Sequence, residues 1–201
     1  MNGVADPNAL YVYWAGYWAG SNNLLDVGAD AALLASRVSG AVGDVIAGMK
    51  ELSDAGAGQI VVANRLARTS LTGQDNLNGI ALNAALAAAL PVMNAQLAAR
   101  VTAYDAYAAA KDMIVNPGQY GFQFTGPNDL CFSTPSCATN LAVAATYVFR
   151  DAPHKTTRVH ALMAEDIAAL VDVLEPASLV LLAAGLAGVA AARRPGATAA
   201  R

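Results

Sequence analysis

The chain has 201 residues, 56% of them hydrophobic and 13% charged, with a formal net charge of −3. This composition excludes a disordered chain, which is poor in apolar residues and rich in charge, and a nucleic-acid surface, which needs clustered cations to displace counterions. Two cysteines and two histidines exclude a disulfide-dense mini-protein, a four-thiolate zinc site and a multi-histidine metal centre, so no metal or organic cofactor is expected.

The N-terminal stretch MNGVADPNALYVYWAG has no basic region followed by an apolar one, so it is not a signal peptide. Leu10 to Trp14 is β-branched and aromatic and predicts a core strand, which implies an element upstream of it. The tetrapeptide YWAG occurs twice in tandem, at 13–16 and 17–20, as a local duplication. Between Asp30 and Asp54, residues such as Leu34, Val38, Val45, Met49 and Leu52 recur at helical spacing and predict an amphipathic helix. Ile60 to Asn64 is a short apolar run of the kind buried on both faces of a sheet. An alanine-rich helix is predicted over Asn76 to Ala99, with a kink or break at Pro91. Val101 to Tyr107 predicts a third strand running into a short helix that ends before Asn116-Pro117-Gly118. Gln119 to Asn140 is rich in Gly, Pro, Asn, Ser and Thr and is expected to be a loop. A last strand (Ala145 to Arg150) and a helix (Lys155 to Val173) complete the series. Strands alternating with helices predict an α/β domain with a parallel sheet covered on both faces.

Chemistry can sit at three places. Gly20 to Asp26 follows the first strand, on the side of an open α/β sheet where ligands bind. There the Asn22 amide can donate to a developing oxyanion, although Gly and Asn are also ordinary turn residues. Asp151 and His154 follow the last strand at a spacing that lets the carboxylate hold one ring nitrogen and leaves the other free to take a proton. His160 falls within the following helix and reads as a packed or surface residue. Cys131 and Cys137 are a free buried pair if the domain is cytosolic and a loop-closing disulfide if it is exported.

At the C-terminus, residues 177–192 are uncharged and apolar apart from Ser178, and end at Arg193-Arg194. Sixteen residues span about 24 Å, slightly less than a ~30 Å hydrocarbon core, and the Arg pair has the character of a cytoplasmic stop. With Leu174-Glu175-Pro176 before it, this three-part tail resembles the PEP-CTERM sorting signal of Gram-negative bacteria. The resemblance implies an exported protein, a membrane anchor at residues 177–192 and processing by an exosortase. It divides the chain into a domain at 1–173 and a tail at 174–201, and it favours the disulfide.

Taken together, ALYVYWAG with GSNN, NPGQYGF, the cysteine loop and FRDAPHKTTRVHALMAE resemble the GDSL (SGNH) ester hydrolases over residues 8–172. That resemblance implies an incomplete three-layer, flavodoxin-like parallel sheet. It also implies His154 as base, Asp151 as its orienting acid, Asn22 as oxyanion donor within a loop that includes Gly20, and an ester or lipid substrate. The family's Gly-Asp-Ser-Leu nucleophile block is missing: Gly43-Asp44 is followed by Val45. The expectation is therefore an N-terminally truncated domain, inactive by itself because acid, base and nucleophile act as a unit. The alternatives are a non-catalytic exported envelope or polysaccharide-associated protein, a degenerate remnant, or a cytosolic α/β binding domain with the tail packed into its core.

Overall fold

The computed structural model describes residues 3–14, 23–24, 26–152 and 154–171, and shows a mixed α/β domain with a three-stranded parallel sheet. Strands β1 (Leu10–Tyr13), β2 (Gln59–Ala63) and β3 (Arg100–Tyr104) lie in the order β1-β2-β3. Val12 pairs with Val61, and Val61 with Thr102. β2 is central, and Ile60, Val61, Val62 and Ala63 are all buried, as an unbroken apolar run requires.

Helices α1 (Ala31–Asp54) and α2 (Gln74–Gln96) connect the strands in turn and pack on the same side of the sheet. Their residues Ala41, Val45, Met49, Leu82, Leu86 and Met93 share one core with Ile60, Val62 and Val101. α1 begins at Asp30, whose Oδ1 accepts the Leu33 N–H at 2.9 Å. Each helix is long and apolar enough to cross a membrane by length and composition alone. Here their apolar stripes lie on the sheet, which is the situation of core helices.

Two asparagines of α2 act like strand backbone. The Asn94 side chain accepts from Val101 N at 2.9 Å and donates to Val101 O at 3.0 Å. The Asn83 amide does the same to Arg65, at 2.8 and 2.9 Å. An amide carries one acceptor and two donors and so can satisfy both main-chain groups of one residue. These bonds fasten the helix to β3 and to the chain leaving β2.

The opposite face carries α3 (Ala106–Val115) and α6 (Thr157–Leu170). The Tyr104 hydroxyl donates to Asp166 Oδ2 at 3.1 Å; burial, then the nearby carboxylate, push its pKa upward. Between them come 3₁₀ turns at Pro117–Tyr120 and Cys131–Ser133 and short helices α4 (Pro135–Thr139) and α5 (Leu141–Ala144).

Four expectations change. β1 is an edge strand, not a core one: it pairs with β2 alone among the described residues, and Val12 is 46% exposed. α2 runs through Pro91 to Gln96 without the break that the proline allows. The stretch expected to be loop over 119–140 contains helical turns; α4 within it and the 3₁₀ turn that runs into it are opened by Pro135 and Pro117, at first-turn positions where a missing N–H costs nothing. Residues 145–150 are not a sheet strand. Tyr147 and Phe149 make single bridges to Phe124, Leu130 and Lys155, because each finds loop backbone rather than a fourth strand beside it. The apolar tail at 177–192 lies outside the described residues.

Candidate functional site

The segment from Tyr147 to Thr156 is a tight reversal. Phe149 bridges Lys155 in antiparallel fashion, Arg150 N donates to His154 O at 2.9 Å, and Thr156 N donates to Val148 O at 3.1 Å. The Thr156 hydroxyl donates to Tyr147 O at 2.7 Å. Loop backbone supports the outer side: Cys131 N donates to Phe149 O at 3.1 Å and Phe132 N to Arg150 O at 2.8 Å. Cys131 and Cys137 form a disulfide, with Cα atoms 5.3 Å apart, that closes this supporting loop.

At the tip of the reversal, Asp151 Oδ1 accepts the His154 main-chain N–H at 3.0 Å and lies 2.7 Å from His154 Nδ1. A carboxylate only accepts, so Nδ1 carries the proton and Nε2 of a neutral ring presents its lone pair. The imidazole is 71% exposed, and Nε2 has no hydrogen-bond partner among the described residues. The arrangement can hold a neutral base in one tautomer and stabilise it once protonated.

The reversal is moored at the carboxyl side of the sheet. Lys155 is 5% exposed; its ammonium lies 3.7 Å from the centre of the Phe149 ring and donates to Ala67 O at 2.7 Å, in the loop that leaves β2. Burial, and secondarily the charge of Arg68, lower its pKa to about 7. The same loop holds Arg65, which is 1% exposed and paired with Asp75, while Arg68 Nε contacts the other Asp75 oxygen at 2.6 Å. The end of β1 reaches this rim too: Trp14 Nε1 donates to Asn64 O at 3.1 Å. Asn22, Gly20 and Pro153 lie outside the described residues.

Two cavities border α6. One, of about 370 Å³, lies between Cys131, Phe132, Leu141, Arg150 and Thr157; the other, of about 470 Å³, lies between β1 and Met163, Ala164 and Ile167. His160 lines both and is exposed, whereas Asp151 and His154 line neither. Sequence reasoning passes over Lys155 and the Arg65–Asp75–Arg68 group. Their only signal is the charge itself, because their burial depends on contacts distant in sequence. Among the described residues no cluster of His, Cys, Asp and Glu could hold a metal ion.

Comparison with protein families finds the PEP-CTERM protein-sorting motif at residues 175–194. The motif indicates a secreted, surface-sorted protein of a Gram-negative bacterium, anchored at its C-terminus and processed by an exosortase. A comparison with curated proteins finds no match.

Proposed function

We propose that the domain at residues 1–173 is part of a GDSL (SGNH)-type serine ester hydrolase, displayed at the cell surface by its sorting tail. The observation that carries this reading is the Asp151–His154 pair, with its 2.7 Å bond to Nδ1 and an exposed ring whose Nε2 has no hydrogen-bond partner among the described residues. In the reaction, Nε2 takes the proton of a serine hydroxyl as its oxygen attacks the ester carbonyl. Asp151 keeps Nδ1–H in place and stabilises the imidazolium. The tetrahedral oxyanion accepts from the Asn22 amide, the imidazolium returns its proton to the departing alkoxide, and water repeats the sequence on the acyl-enzyme.

The chain has no Gly-Asp-Ser block to supply the serine. Support for a further strand comes from β1, whose outer edge is unpaired among the described residues and adjoins an apolar cavity against α6. Residues 1–201 alone should not turn over p-nitrophenyl butyrate. The same chain preceded by the residues encoded immediately upstream of Met1 should do so, and His154→Ala should remove about 10³-fold or more of that rate. An extended, folded protein with no hydrolysis overturns the reading and leaves a non-catalytic surface protein.

A further inference from the structure

We infer that Lys155 is the positioning residue of the Asp151–His154 pair, fastening its turn to the loop that leaves β2. Its catalytic consequence rests on the hydrolase reading; its structural content does not. The turn sets its own internal geometry, through Asp151 Oδ1 and the Arg150 N to His154 O bond, but its tip is exposed and, among the described residues, the pair has no other hydrogen bond to the sheet layer. The next residue supplies the attachment. The Lys155 ammonium crosses 88 residues of sequence to Ala67 O, with the Phe149 ring against it and no carboxylate paired with it among the described residues.

A buried ammonium held by one carbonyl and one ring costs more than an apolar chain of the same length in the same space. Methionine would pack there without that cost, so the charge is not what the core requires. What the ammonium supplies is a directed bond at a fixed reach, and Ala67 lies four residues beyond the end of β2. The imidazole is thereby held one residue from a fixed point on the carboxyl rim. A catalytic base must be placed to within fractions of an ångström, since 1 Å of displacement costs about 10²-fold in rate.

The test uses the full chain with labelled histidine and the variants Lys155→Met, Lys155→Arg and Phe149→Leu. The low-field Nδ1 proton of His154, seen by NMR, reports the bond to Asp151, and circular dichroism reports the fold. Lys155→Met should keep the fold but lose the resonance to exchange, Lys155→Arg should retain it, and Phe149→Leu should broaden it. A folded Lys155→Met protein with an unchanged resonance overturns the inference. Should that variant fail to fold, an unchanged resonance in Phe149→Leu overturns it instead. In an active extended chain, Lys155→Met should lower kcat about 10²-fold with KM unchanged. Absence of hydrolysis in every extended chain, the unsubstituted one included, counts against the hydrolase reading alone, and the resonance still decides this one.

Discussion

The guanidinium of Arg65, almost wholly buried, is held by Asp75 twice over: Nη2 meets the carboxylate, and Nη1 donates to the Asp75 main-chain oxygen at 2.6 Å. Asp75 sits in the first turn of α2, where a negative charge is favoured by the helix dipole, and it also contacts Arg68. Burial pulls the Arg65 pKa down and the Asp75 contact pulls it back up, so the guanidinium stays charged beside its partner. Removing one partner of a buried pair leaves an uncompensated charge. Asp75→Ala should therefore lower stability by about 3–5 kcal/mol, read as a shift in the urea midpoint at constant slope. A loss under about 1 kcal/mol would show that the pair behaves as a surface one.

Gly79 explains how that guanidinium fits. A Cβ built there would lie 2.5 Å from Arg65 Nη1 and 3.2 Å from its Cδ. In an open helix, Gly→Ala adds about 1 kcal/mol of stability. Here Gly79→Ala should instead cost about 1–3 kcal/mol by forcing Arg65 aside. The double variant with Asp75→Ala should lose less than the sum of the two, because both act on one side chain. Additive losses would place the clash elsewhere.

The parts of this fold that are legible in sequence are those where local pattern and tertiary burial agree. The helical spacing of Val45 and Met49 is the buried stripe of α1, and the apolar run Ile60 to Ala63 is the strand buried on both faces. The spacing of Asp151 and His154 is legible for the same reason, since the turn that joins them is made within four residues. Legibility ends where distant residues decide. Tyr147 to Phe149 has strand character, but a strand needs a neighbour, and these residues meet only loops. Leu10 to Tyr13 has the composition of a core strand, yet its position at the edge depends on what pairs beside it. Lys155 looks like a surface lysine because Ala67, which buries it, is far away in the chain.

The Cys131–Cys137 bond spans a sequence separation of six, so its effect on the unfolded chain is modest. The loop-entropy relation gives about 2 kcal/mol for a ring of this size. Its reach is greater than the number suggests, because Cys131 N supports Phe149 O directly behind the Asp151–His154 turn. Reduction, or Cys131→Ser with Cys137→Ser, should lower the unfolding free energy by that amount, read from the urea midpoint at constant slope, and raise amide exchange at Phe149 and Phe132. Unaltered exchange there, with the midpoint lowered, would separate the disulfide from the candidate site.

Lys155 also predicts how stability depends on pH. Its pKa is near 7 in the folded protein and 10.5 in the unfolded chain. Below pH 7 both states hold the proton, so the cost of burying the ammonium is fully present. Between 7 and 10.5 the unfolded state binds the proton and the folded state has released it. Unfolding free energy then rises with pH, by at most ~1.4 kcal/mol per unit. Tyrosines act with the opposite sign at higher pH. Burial raises the pKa of Tyr13 and Tyr104, so above 10 the unfolded state loses protons that the folded state keeps, and stability falls. Urea midpoints should therefore climb from about pH 7 to about pH 9.5 and decline beyond it. Lys155→Met should flatten the climb and leave the decline in place, since it removes one titrating group and neither tyrosine. A climb of equal slope in both proteins would mean that Lys155 stays charged throughout, with the Ala67 carbonyl and the Phe149 ring together offsetting its desolvation.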